Sequence, residues 1–172
     1  MHMSAAALQL QSVMQEAWAS HGEGVSGLSK TLAAAFDEVL DEFSARVYGD
    51  RPGATEHVAE LRAHWMHLVT SGPGTDYLSR AKKVGALQVE LGIDPRAHLE
   101  HYGRLIAQVA TALRSHQSEA EGLLVFSLLS VDLMVAMLVH EELALQRSEA
   151  RRIEDVVAGT RQLATTVTLF NQ

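Results

Sequence analysis

Apolar residues recur at intervals of three and four along most of the chain, and the strict alternation that marks a strand is nearly absent. Alanine, leucine, glutamate, glutamine and arginine fill the periodic segments, so the chain reads as all-α. The breaks fall at five short stretches, 20–27 (SHGEGVSG), 49–53 (GDRPG), 71–74 (SGPG) and 92–95 (GIDP), rich in glycine and proline, and the polar 115–118 (SHQS). The pattern predicts helices over about 5–19, 27–48, 55–70, 75–91, 95–114 and 118–149.

Several of these ends have a mechanism. Gly92 can adopt the left-handed conformation past a helix C-terminus, while Asp94 can cap the next helix with Pro95 at its first position. Ser118-Glu119-Ala120-Glu121 has the form of a capping box. In the fifth segment Leu99, Tyr102, Ile106, Val109 and Leu113 make a continuous apolar seam, and the sixth is apolar almost all round. Such a surface needs cover on more than one side, which predicts a homodimer built on about 95–149. Cover within one chain is the alternative. Ile153, Val156, Thr160, Leu163, Val167 and Phe170 repeat the three/four spacing, so 150–172 reads as the start of a coiled-coil linker following a domain at 1–149. The expectation is that it leads to a C-terminal output module; a final amphipathic helix folding back on the domain is the other possibility.

Composition narrows the function classes. Of 172 residues 47% are hydrophobic and 20% charged, which is globular rather than disordered composition. A net charge of −7 argues against nucleic acid as a partner. The absence of cysteine removes disulfides, thiolate metal ligands and thiol nucleophiles. The run GLLVFSLLSVDLMVAMLVH over 122–140 is long enough to span a bilayer, but Asp132 interrupts it and a buried protein helix is expected instead. No secretory leader is apparent, so the protein is expected in the cytoplasm.

Nine histidines raise the question of metal. His57, His64 and His67 share one predicted helix and His98 and His101 another, yet a His-x-x-His pair supplies at most two ligands where zinc needs three or four. Surface placement is expected for most of them. There is no Glu-x-x-His, Gly-x-Ser-x-Gly or phosphate-binding glycine loop, so catalysis by this chain itself is not expected.

One constellation is more specific. His64-Trp65, Gly72, Asp76-Tyr77, Val84-Gly85, Gln88, Leu91-Gly92-Ile93, Asp94-Pro95-Arg96 and Tyr102 follow one another without a gap. The block resembles the centre of the globin-coupled sensors, protoglobin-like domains that read His-Trp, Ile-Gly-x-x-His, Ile-Gly-Leu and Glu-Pro-Arg-Trp-Tyr. Val39-Leu40-Asp41-Glu42-Phe43 upstream and His140-Glu141-Glu142 downstream are similar to that family's flanking helices. The resemblance implies a globin fold with an extra N-terminal helix, dimerising through its last two helices. It also implies haem-based oxygen sensing, relayed to a chemotaxis, cyclic-di-GMP or kinase module.

The departures fall where haem would sit. Gln88 occupies the proximal histidine position, Ser44 follows Phe43 where the family has a distal tyrosine, and Ala97-His98 replaces Trp-Tyr. His57 and Glu60 align with ligand-facing positions of the distal helix. The candidate pocket is therefore Phe43, Ser44, His57, Glu60, Leu61, His64, Val84, Leu87, Gln88, Leu91, His98 and Tyr102. Imidazole binds iron well and an amide poorly. In one reading, haem is lost and the fold serves as a regulatory input domain, its pocket collapsed or holding an apolar small ligand. In another, His57, His64 or His98 ligates the iron of a gas sensor. In a third, Gln88 is an introduced substitution, which leaves Ser44 unexplained. A purely structural dimerisation module is a further alternative. Glu60 is expected to meet water or to pair with a neighbour such as His57 or His64.

Overall fold

Helix α1 (Ala5–Gly27) runs straight through the glycine-rich stretch that was expected to end it. A glycine inside a helix costs about 1 kcal/mol relative to alanine, a weak preference that tertiary packing overrides. Ala7, Met14 and Val25 on its inner face are buried. Gln11 Nε2 donates to the Gly74 carbonyl at 2.6 Å, and Gln15 Nε2 to that of Pro73 at 2.9 Å. The computed structural model describes residues 5–48, 51–114 and 119–170, with side chains as far as 161.

The remaining elements follow the predicted order. They are α2 (Ser29–Phe43) with a π-helical turn (Ser44–Tyr48), α3 (Ala54–Ser71), α4 (Tyr77–Glu90), α5 (Pro95–Leu113) and α6 (Glu119–Phe170). No strand occurs among the described residues. Helix α2 packs against α3 and α5, α3 against α4, and α1 against α3 and α4. The fold is thus all-α, as read from the periodicity. The proposed cap Ser118 lies outside the described residues, as does the whole of the 115–118 break.

The corner between α4 and α5 is built as its residues predict. Gly92 has φ +64°, and the Ile93 N–H returns to the Gln88 carbonyl at 3.0 Å. The Asp94 carboxylate accepts from the Arg96 N–H at 2.8 Å, with Pro95 opening the helix. This fixes where α4 ends and directs Gln88 and His98 at one another from either side of the turn.

The apolar seam expected along α5 is divided. Tyr102, Leu105 and Val109 are buried, whereas Leu99 is 45% exposed. The chain separates into two compact units, Met1–His140 and Glu141–Gln172. In the second, Leu145, Ile153, Val156 and Val157 are exposed. Between Glu119 and Arg161, α6 is long and apolar enough to cross a membrane by length and composition alone.

Candidate functional site

Five residues of α3, His57, Leu61, His64, Trp65 and Leu68, fall at spacings of four, three, one and three and are all buried. From α4 come Tyr77, Val84 and Gln88; from α5 His98, His101 and Tyr102; from α6 Asp132. Surface placement of most histidines, expected from sequence, is therefore corrected for His57, His64, His98 and His101. Each of these rings has packing or bonding that offsets the loss of water.

Asp132 is the hub. Its Oδ1 accepts from the Tyr77 hydroxyl at 2.6 Å and contacts His64 Nε2 at 2.8 Å, while its Oδ2 accepts from the Tyr102 hydroxyl at 2.6 Å. Trp65 Nε1 donates to the same Tyr102 oxygen at 3.1 Å. One carboxylate of α6 thus bonds to α3, α4 and α5 at once. Burial alone would raise its pKa, but the His64 imidazole and hydrogen bonds from His64, Tyr102 and Tyr77 outweigh it, leaving the carboxyl below its usual range. Burial, reinforced by the Asp132 charge, pushes both tyrosine hydroxyls up, so they stay protonated and donate.

A second set surrounds Phe43. The His101 ring stacks on Phe43 at 3.9 Å between centroids and on Trp65 at 5.2 Å. Tyr48 meets Phe43 edge-on, and its hydroxyl bonds to His57 Nδ1. Gln88 Nε2 lies 2.8 Å from His98 Nδ1. Burial lowers the pKa of His57 and of His98 to about 4 and that of His101 to about 3, so all three are neutral near pH 7. His57 Nε2, His98 Nε2, His101 Nε2 and Gln88 Oε1 are buried without a hydrogen-bond partner among the described residues.

Of the twelve pocket candidates, Phe43, His57, Leu61, His64, Val84, Gln88, His98 and Tyr102 are buried together in this interior. Ser44, Leu87 and Leu91 are half-buried, with Leu91 packing against the Phe43, Tyr48 and Ile93 cluster. Glu60 meets water and pairs with a neighbour, as expected, though the neighbour is Lys83 rather than His57 or His64. Its Oε1 lies 2.5 Å from Lys83 Nζ on the surface, where water meets most of its solvation need. Asp132 was noticed in the sequence only as an interruption of an apolar run. A lone acid at a buried helical register is the signal that could have marked it as a polar hub.

Haem, which the resemblance implies, was tested against the donors present. The side chain at the proximal position is an amide, and its nitrogen is engaged by His98. His64 Nε2 is held by Asp132, and no group of three His, Cys, Asp or Glu able to hold a metal ion occurs among the described residues. The residues do not fit haem bound in the arrangement the resemblance implies.

The protoglobin family profile matches residues 20–137, more than half of the chain and the whole of the site just described. Neither a curated protein nor a solved structure is matched.

Proposed function

The chain belongs to the protoglobin family, and from that premise we propose that it is a globin-like sensory input domain of a signalling protein, working without conventionally ligated haem. The observation that carries this reading is the Gln88–His98 bond, which places an amide where an imidazole ligand would be needed and commits it to a neighbour. In this reading the interior between α3, α4 and α5 responds to packing or to occupancy by another small ligand. Asp132 connects that interior to α6, so a change around His64, Tyr77 or Tyr102 alters how α6 is held.

The outputs follow from exposed apolar surface. Leu99, Leu123, Phe126 and Met134 are all 45–61% exposed. Ile106, Val109, Leu113, Leu123 and Phe126 line a groove of about 310 Å³ between α5 and α6. These features support dimerisation through the two helices. Leu145, Ile153, Val156 and Val157 support pairing of the second unit with a like helix that passes the signal to an effector module. The domain itself acts by conformation rather than catalysis. Asp132, bonded to three other helices at the middle of the apolar run, supports a helix buried in protein over a membrane span.

The test is addition of haemin to the purified protein. No stoichiometric Soret band is expected, and such a band would sink the haem-free reading. The second reading, a gas sensor with an atypical axial ligand, is favoured by the buried and unpartnered Nε2 atoms of His57 and His98. If a band forms, single replacement of His57, His64 and His98 identifies the ligand by which variant loses it.

A further inference from the structure

The π-helical turn decides what the interior contains. In a continued α-helix, residue 48 would face about 140° away from Phe43. The i→i+5 spacing of the turn at Ser44–Tyr48 brings it back beneath Phe43 instead. The two rings meet edge-on at 5.1 Å between centroids, Tyr48 is 2% exposed, and its hydroxyl bonds to His57 Nδ1. Ser44, four positions earlier, is only half-buried. The buried phenol beside His57 is therefore Tyr48, which the family frame does not call for.

Other rings continue from it. Phe43 stacks on His101, His101 on Trp65, Trp65 meets Tyr102 and Tyr102 meets His98, at 3.9, 5.2, 5.6 and 4.9 Å between centroids. All of these side chains are 2% exposed or less. A charge on His57 would oppose protonation of both His98 and His101, so the rings share one interior. The resemblance sets a macrocycle between Gln88 and His57, yet Tyr48 caps His57 and His98 caps Gln88. Protein interiors pack as densely as organic crystals, so a space filled by its own side chains leaves no slot for a flat ring far larger than an indole. Neither the groove between α5 and α6 nor the cavity beside the C-terminal half of α1 is lined by a residue of α3 or α4.

We infer that Tyr48 and His101, rather than the lack of a proximal histidine alone, exclude haem, because with their neighbours they fill the space that a macrocycle would take. This closure rests on the haem-free reading above and assigns it a cause. If only an iron ligand were missing, the space would stay open to a macrocycle that needs no ligand.

Metal-free protoporphyrin IX separates the two causes on the unaltered full chain. The reporter is the indole N–H of Trp65, which donates to Tyr102 inside the interior; Trp18→Phe assigns the two indole signals of the ¹⁵N-labelled protein. The Trp65 resonance should stay unmoved, as it would also with porphyrin held only on the exposed surface. A saturable one-to-one shift of it overturns the inference, and does so even where haemin gives no Soret band, a result that leaves the haem-free reading intact. Gln88→His should still give no stoichiometric Soret band with haemin, and a band there that the parent lacks overturns the inference equally. Tyr48→Ala combined with His101→Ala should take up protoporphyrin one to one and shift Trp65. A folded double variant that takes up none would show that other side chains close the space, which overturns the assignment to these two. If the double variant does not fold, the parent with protoporphyrin and Gln88→His with haemin decide.

Discussion

Gln88 Nε2 and His98 Nδ1 lie 2.8 Å apart across the corner that joins α4 to α5, both side chains buried. With the amide N–H donating, His98 is the tautomer that carries its proton on Nε2, and that N–H is buried without a partner among the described residues. The pair does locally what a buried polar residue requires, since each satisfies one group of the other. It also occupies the amide nitrogen, leaving Oε1 as the amide atom without a partner among the described residues.

Replacing Gln88 with leucine should therefore destabilise the domain beyond any change in volume. The His98 Nδ1 would remain buried with nothing to accept from, a loss of about 1–3 kcal/mol. Urea denaturation of Gln88→Leu, His98→Leu and the double variant checks this. The double variant should be less destabilised than the sum of the singles, because the two residues share one bond. Strict additivity would show that the bond contributes nothing.

Asp132 should be the most sensitive position in the chain. Asp132→Leu removes the acceptor of Tyr77, Tyr102 and His64 together. Breaking a buried charged network from one side costs about 3–5 kcal/mol. Asp132→Asn keeps the shape and part of the accepting capacity, so it should fall between. Denaturant midpoints of the two variants test the order, and an Asp132→Leu protein as stable as the parent would mean that the hydroxyls find other partners.

The fold was legible in the sequence because its signals are local and repeated. Three- and four-residue spacing places the helices, and Gly92, Asp94 and Pro95 each state one part of a corner. The glycines of 20–27 misled because a helix break is a local inference, whereas α1 packs through Trp18 on Gly72 and at Gly24 on Glu121, up to 97 positions away in the chain. The interior was half legible. His57, His64, Gln88, His98 and Tyr102 were named from the family frame, but Asp132 lies 30 residues beyond Tyr102 and 68 beyond His64. Glu60 was assigned inward from alignment alone, and the turn of α3 places it beside Lys83 instead.

The buried histidines give the domain a pH signature with a defined sign. In the unfolded chain each titrates near its ordinary value of 6.5, while burial holds His57 and His98 at about 4 and His101 at about 3. Between those values the unfolded chain binds protons that the folded one does not. Their contribution to stability is therefore complete above about pH 6.5 and is lost as pH falls towards 4. Denaturant midpoints recorded from neutral pH downward should decline across that window. His101→Phe, which keeps a ring on Phe43, should flatten the decline; an unchanged slope would show that His101 is protonated in the folded state.

The proposed dimer surface offers the last and most direct test. Leu123 and Phe126 are 61% and 51% exposed and line the groove between α5 and α6. Apolar residues of that size cluster on a surface when something covers them, and each gains about 1.5–3 kcal/mol from full burial. A glutamate at either position would sit at a desolvated contact in both copies, opposed by its own symmetry mate, so Phe126→Glu should dissociate the dimer without loss of helix. Sedimentation at micromolar concentration should find the parent dimeric and Phe126→Glu monomeric, with matching far-ultraviolet circular dichroism. A charge at an exposed position of α4, such as Ser79→Glu, should leave the dimer intact. A parent that is monomeric would undo self-association as the reason these side chains are exposed.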